Sequence, residues 1–408
     1  MTDFELELQQ RLAGIREQGL YREMRRVDSP QSPHLSLGGR KLLSFASNDY
    51  LGLANEPALK QAAISAVEKY GTGAGASRLI CGSLSPHHEL DEILAAFKRT
   101  EAALSFSSGY AAALGAICAL VSKDDIIVID KLVHACIVDA ARLSGAKLRV
   151  FAHNDPNDLE RILKWADART GPGHHPKEGA SPSAPKSRIL IITESVFSMD
   201  GDHAPLRDIV ALKERYGAWL MVDEAHATGL YGANRTGLAE ELGVSDRIEI
   251  QMGTLGKALG ASGGYIAGSR ALIDYLVNRA RTFIFSTAPV PAAAAAASAG
   301  VHFVQSPSGE ARRRLLWQNV AVLNSKLKTQ NSERPSAIFP LLIGDETKAT
   351  KATAALRERG VFIPAIRYPT VARGQARLRL TLTASHTGTE LAELLAALEA
   401  LHLVNRKS

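Results

Sequence analysis

Short, uninterrupted apolar runs alternate with amphipathic segments through much of the chain. AALSF (102–106), DIIVID (125–130), KLRVFA (147–152), RILIITES (188–195), WLMVDEAH (219–226), IEIQMG (248–253) and GGYIAG (263–268) read as strands. Apolar character without alternation is the mark of strands buried on both faces. Helical spacing over 86–99, from SSGY to about 121, and over 135–144, 156–168 and 206–216 supplies the covering layers. The order predicts an α/β fold with a mostly parallel sheet flanked by helices. Upstream, 3–26 carries helical periodicity, 29–39 is a Pro/Ser/Gly loop and 42–53 is a strand-like run broken by Asn48 and Asp49. A helix over 56–70 then leads into the glycine loop GTGAGAS (71–77).

After Pro289 the pattern changes to a long helix over 291–328, a strand at 339–344, a helix at 348–359, a strand at 377–384 and a last helix at 388–402. The expected division is an N-terminal arm and helix (1–45), a large domain (46–288) and a small C-terminal α+β domain (289–408). Residues 170–187, rich in Pro, Gly and Ser, are expected to form a surface insertion loop, because strand–helix alternation resumes beyond them. Its His174–His175 pair is read as solvated, and no metal site is expected.

The chain has 408 residues, 46% apolar and 22% charged, which suits a globular protein of more than one packed unit. Its +6 formal charge is thin, and the Arg312–Arg314 run reads as a solvated helix face, so no nucleic-acid partner is expected. No apolar run reaches a membrane span, the first residues lack a signal-peptide core, and three Cys at 81, 118 and 136 show no pairing pattern. A reducing cytoplasm is the expected location, with Cys136 as a small buried thiol.

GTGAGA lacks the G-x-G-x-x-G spacing and follows a helix, so it is a turn rather than a dinucleotide fingerprint. VDEAH (222–226) could hold Mg²⁺ in a nucleotidase, but the required G-x-x-x-x-G-K-[ST] is missing. A different constellation remains. Asp223 and His226 fall at the carboxyl end of a strand, where open α/β sheets bind ligands, and Lys257 follows the next strand in TLGKALG. A desolvated lysine forms Schiff bases, and an acid keeps a pyridine nitrogen protonated, which is the pairing pyridoxal phosphate needs. SSGY opens a helix whose N–H groups suit a phosphate, His134 can flank the ring, and hydroxyls are available at Ser198, Thr254, Ser286 and Thr287.

With these stations in order, the chain resembles the α-oxoamine synthases, a branch of the fold type I pyridoxal-phosphate enzymes. The resemblance runs through FASNDYLGL, GTGAGASRLICG, SFSSGYAA, HACIVDAA, TESVFSMDGDHAPL, MVDEAHATG, TLGKALG, FSTAP and PTVARGQARLRLTLTASHT. It implies that Lys257 binds the cofactor aldehyde and moves the substrate proton. Asp223 would pair with the ring nitrogen, His226 with the phenolate oxygen, and His134 would stack on the ring and touch substrate. Ser108, Gly109, Tyr110, Ser198 and Thr254 would bind cofactor, and Ser286 and Thr287 would do so from the partner subunit of a homodimer. Asn48 and Arg379 would clamp the amino-acid carboxylate, with Arg377 as the alternative, and Arg22 and Thr370 would meet the acyl substrate. FAHND (151–155), SVFSMDGDHAPL and IRYPTV favour L-alanine and a pimeloyl thioester, on coenzyme A or a carrier protein, as substrates. Sister enzymes that use glycine or serine, and a non-catalytic protein of the same fold, are the alternatives.

Overall fold

The computed structural model describes residues 2–170, 187–327 and 333–404. The expected insertion loop, with its His pair, thus falls outside the described residues. The chain divides into two compact units, Glu56–Ser198 with Asp202–Glu310, and Met1–Asn55 with Met199–Gly201 and Ala311–Ser408.

The larger unit is built on a seven-stranded sheet. Its strands are β1 (Ala102–Phe106), β2 (Ile126–Asp130), β3 (Lys147–Phe151), β4 (Ile189–Glu194), β5 (Trp219–Asp223), β6 (Ile250–Thr254) and β7 (Gly264–Gly268). They are ordered β1-β7-β6-β5-β4-β2-β3, and only β7 runs against its neighbours. Every residue of β1, β2, β4 and β7 is buried, as continuous apolar runs require, whereas the edge strand β3 is mostly not. Side chains such as Ile127, Ile191 and Val222 are fully buried. Each such side chain contributes about 1.5–3 kcal/mol relative to exposure. Because all the strands except β7 point one way, the segments after β1, β2, β4, β5 and β6 emerge at one edge of the sheet.

The expected boundary at 289 shifts. The helix Pro291–Gln305 packs on Pro57–Tyr70 and Ser85–Lys98, and so belongs to the larger unit. Gly300 lets this helix also approach the segment after β6, since a Cβ would meet Leu259 O at 2.2 Å. The single helix expected over 291–328 is two, Pro291–Gln305 and Pro307–Lys326. Ser306 is extended and Pro307 has no N–H, which stops the first helix and starts the second.

The smaller unit contains two three-stranded sheets. In one, Arg40–Ser44 lies between His34–Leu37 and Val361–Phe362. The strand His34–Leu37 falls inside the expected loop over 29–39. Gly38 and Gly39, both at positive φ (58° and 76°), close the two-residue hairpin that creates it. In the other, Ala376–Thr381 is central between Ile338–Gly344 and Ala365–Ile366. The arm helix ends at Glu17 rather than 26, with Gly19 left-handed at φ 66° just beyond. The arm is not separate: it groups with the C-terminal residues. Among the described residues, no helix is long and apolar enough to cross a membrane.

One ion pair is sealed inside the larger unit. Lys98 Nζ donates to Glu224 Oε2 at 2.6 Å and to Thr236 O at 2.7 Å, with the two charged side chains 0% and 1% exposed. Burial alone would push the lysine pKa down, but Glu224 outweighs it and the amine stays charged. Lys98→Ala should therefore strand a buried carboxylate and lower stability by about 3–5 kcal/mol, read as an earlier denaturant transition. Lys98→Met/Glu224→Leu should recover most of that loss; equal loss in the double variant would contradict it.

Candidate active site

The edge where the strands end gathers ionisable groups. Asp223 closes β5, is 5% exposed, and accepts the Ala225 N–H at Oδ1 (2.9 Å). Burial raises its pKa, while Lys257 and the Ala225 N–H oppose the rise. After β6, Lys257 Nζ lies 2.8 Å from Nε2 of the buried His226. Asp223, His134 and Lys257 all sense one another electrostatically. Asp223, His226, Lys257 and His134, drawn from three separate motifs, are thus brought together at this edge.

His134 caps the helix Ala135–Leu143. Its Nδ1 accepts from the Cys136 N–H (3.3 Å) and lies 3.0 Å from Cys136 Sγ. Burial pushes the thiol pKa up, so Sγ keeps its proton and can donate to Nδ1. Desolvation holds His134 below the ordinary histidine value. Its single ring proton therefore sits on Nε2. Cys136 thus does more than fill space.

The glycine–helix junction after β1 is shaped for an anion. Ser108 is extended and its Oγ accepts from Ala111 N at 3.0 Å, opening the helix Gly109–Leu120. Uncommitted N–H groups at such a helix start attract phosphate. A Cβ on Gly264 would stand 2.5 Å from Gly109 N and Cα, so glycine at 264 lets β7 lie against this turn. Gly109 also faces Thr254, whose Oγ1 donates to Gly263 O (3.0 Å) and accepts from Gly256 N (3.2 Å). Tyr110 OH donates to Asp139. Ser286 and Thr287 take a different setting: Thr287 bridges Ser77, and Ala288 N donates to Ala76 O at 3.0 Å.

Two arrangements, one acidic and one built on a histidine, were missed from the sequence. Glu194 ends β4 directly opposite Asp223 in register. His153 stands between Asp130 (Nδ1 to Oδ1, 2.9 Å) and Asp202 (Nε2 to Oδ2, 2.7 Å). Both ring nitrogens face carboxylates, so both must donate and the ring is a cation. FAHND carries the histidine, but only the fold brings its two acids to it.

In the smaller unit, Arg379 is 5% exposed and donates from Nη1 to Asn48 Oδ1 at 3.1 Å; Tyr50 OH reaches the same oxygen. Arg377 is instead engaged by Asp200 and by Gln375 O. Arg22 Nη2 donates to Tyr368 O (3.1 Å) and Thr370 N to Arg367 O (3.0 Å), which sets Arg22 against the turn that carries Thr370. Desolvation, with Arg22 and Arg25 beside it, holds the Arg367 guanidinium below its usual value, a sign of crowded positive charge.

The model for aminotransferase class I and II matches residues 40–398. The chain belongs to that family. It is 48% identical over 397 residues to 8-amino-7-oxononanoate synthase of Geobacter sulfurreducens, covering 96% of each chain. It is 44% identical to that of Thermoanaerobacter pseudethanolicus, covering 96% of this chain and 95% of the relative. A solved serine palmitoyltransferase from S. paucimobilis, with a bound PLP–myriocin aldimine, is 27% identical, covers 98% of both chains and superposes with a TM-score of 0.86. The protein is thus a fold type I pyridoxal-phosphate transferase of the α-oxoamine synthase branch. The residues fit that cofactor: a buried acid for a ring nitrogen, an amine beside a histidine, and a capped helix start for a phosphate.

The His153 clamp yields a pH test. Burial would lower its pKa, but hydrogen bonds and charge from Asp130 and Asp202 prevail and raise it from 6.5 to about 10. A raised histidine pKa contributes stability that is complete below the unfolded value and fades as pH rises towards the folded one. Wild-type stability should therefore decline between pH 6.5 and about 10 more steeply than that of His153→Gln. Parallel denaturation curves across that window would count against a cationic His153.

Proposed function

We propose that the chain condenses L-alanine with a pimeloyl thioester, releasing CO₂ and the thiol, to give 8-amino-7-oxononanoate for biotin synthesis. The observation that carries this reading is the approach of Lys257 Nζ to His226 Nε2 at 2.8 Å beside buried Asp223. The substrates are supported by the names of the curated relatives. The basic group Arg22, Arg25 and Arg367 suits an anionic acyl chain.

Pyridoxal phosphate, when bound, supplies the electron sink that lets an amino-acid α-carbon lose its proton. Lys257 Nζ would hold the cofactor aldehyde, and its amine, beside His226, is the group that would take the α-proton and return one. Asp223 would keep the ring nitrogen protonated, which is what would let the ring accept charge. His226 would hydrogen-bond the phenolate oxygen, and His134 would flank the ring, with its Nε2–H available to orient substrate. The N–H groups at Ser108, Gly109 and Tyr110, with Ser198 and Thr254, bind the cofactor. Arg379, already oriented by Asn48, clamps the amino-acid carboxylate, while Arg22 and Thr370 guide the thioester.

The reading includes a homodimer in a reducing cytoplasm, with each site completed by Ser286 and Thr287 of the other copy. Exposed Ile64, Ile80, Phe285 and Val290 in the larger unit support self-association, and the free thiols at Cys81, Cys118 and Cys136 support the compartment.

Lys257→Ala should abolish turnover and the visible absorbance of the lysine-bound cofactor; surviving turnover would overturn the role of Lys257. Mixing inactive Lys257→Ala with inactive Ser286→Ala/Thr287→Ala subunits should restore about a quarter of wild-type activity, since half of random dimers are mixed and each holds one intact shared site. No recovery on mixing would place both residue sets in the same chain's site.

A further inference from the structure

We infer that Glu194 is a positioning residue of this site: it is held as a neutral acid that ties the backbone of His134 to that of Ser198 and leaves the negative charge on Asp223. This rests on the cofactor placement proposed above. The first support is register. Glu194 and Asp223 are direct partners at the ends of parallel strands β4 and β5, 2% and 5% exposed. Parallel neighbours lie about 4.8 Å apart. Two carboxyls at such spacing, out of water, do not both ionise.

The second support is an orphaned buried oxygen, which marks the acid that keeps the proton. Asp223 has the Ala225 N–H and the nearby Lys257 charge. Glu194 Oε2 accepts the Ser198 N–H at 3.2 Å, and the His134 N–H also reaches this carboxyl. Its Oε1 is buried with no partner. An anionic oxygen stripped of water and donors is far costlier than a hydroxyl there. The proton therefore belongs on Oε1.

The charged and titratable groups that face Glu194 are Asp223 from β5, Lys257 after β6, and His134 and Cys136 after β2. Burial first and Asp223 second raise the Glu194 pKa to about 8, against Lys257 and the two backbone N–H groups. The two N–H groups belong to the segments that follow β2 and β4. One side chain thus fixes where the ring-flanking histidine and the Ser198 hydroxyl stand.

Glu194→Gln preserves shape, the accepting oxygen and neutrality; Glu194→Ala removes the tie. In the apoprotein, infrared spectra at neutral pH should show a protonated-carboxyl stretch that is absent from Glu194→Gln. In the loaded protein, Glu194→Gln should leave the pH midpoint of the visible band unmoved, while Glu194→Ala should weaken cofactor binding about tenfold through the lost hydrogen bonds. The inference is overturned if the stretch is missing, or if Glu194→Gln shifts the midpoint by about one unit, the mark of a lost charge. Wild-type cofactor affinity in a folded Glu194→Ala would also overturn it; if that variant does not fold, the infrared and Gln results decide. The infrared measurement needs no cofactor, so failure of the cofactor placement would appear separately, as a wild-type protein without a lysine-bound band.

Discussion

A carboxylate buried at the end of a strand has to be answered by positive charge, and Asp223 is where this chain meets that constraint. Its burial comes from β5 lying in the middle of the sheet, between β4 and β6. Its partial answer in the protein alone is Lys257. In the proposed reading a protonated ring nitrogen would complete it when pyridoxal phosphate is bound. The same constraint explains Glu194: a second acid at that depth can be kept only by giving up its charge. It also bears on His134, whose neutral ring adds no competing charge and whose tautomer is set by Cys136.

The sheet supplies position and the segments beyond it supply chemistry. β2, β4, β5 and β6 are parallel, so His134, Ser198, His226 and Lys257 leave it at the same edge. Glycine at 264 keeps the Ser108–Gly109 turn against β7. The smaller unit has a different task. Its central strand carries Arg377 and Arg379, two residues apart and both buried, yet their partners differ. Asp200 engages the first, while Asn48 accepts from the second.

Much of this was legible in the sequence because buried parallel strands are continuous apolar runs and their polar termini stand out. Asp223 follows WLMV, Lys257 follows IQMGTLG, and His134 follows IIVIDKLV. What was not legible depended on single residues or on distant partners. One proline, Pro307, divides an otherwise unbroken helical pattern, and the Gly38–Gly39 turn makes a hairpin from what reads as loop. The domain boundary was misplaced because the alanine-rich helix packs on helices more than 190 residues earlier in the chain. Glu194 looked like an ordinary strand end in TES until the register set it opposite Asp223. His153 needed Asp130 and Asp202, which local patterning does not connect.

The central claim is that the Asp223–His226–Lys257 group runs a decarboxylative condensation starting from L-alanine. The most direct measurement follows the visible spectrum of the cofactor-loaded protein while L-alanine and then a pimeloyl thioester are added, with released CO₂ collected. The account predicts a spectral change with L-alanine, then CO₂ and free thiol in equal amounts once the thioester arrives. Glycine or L-serine giving that CO₂ while L-alanine gives none would contradict it.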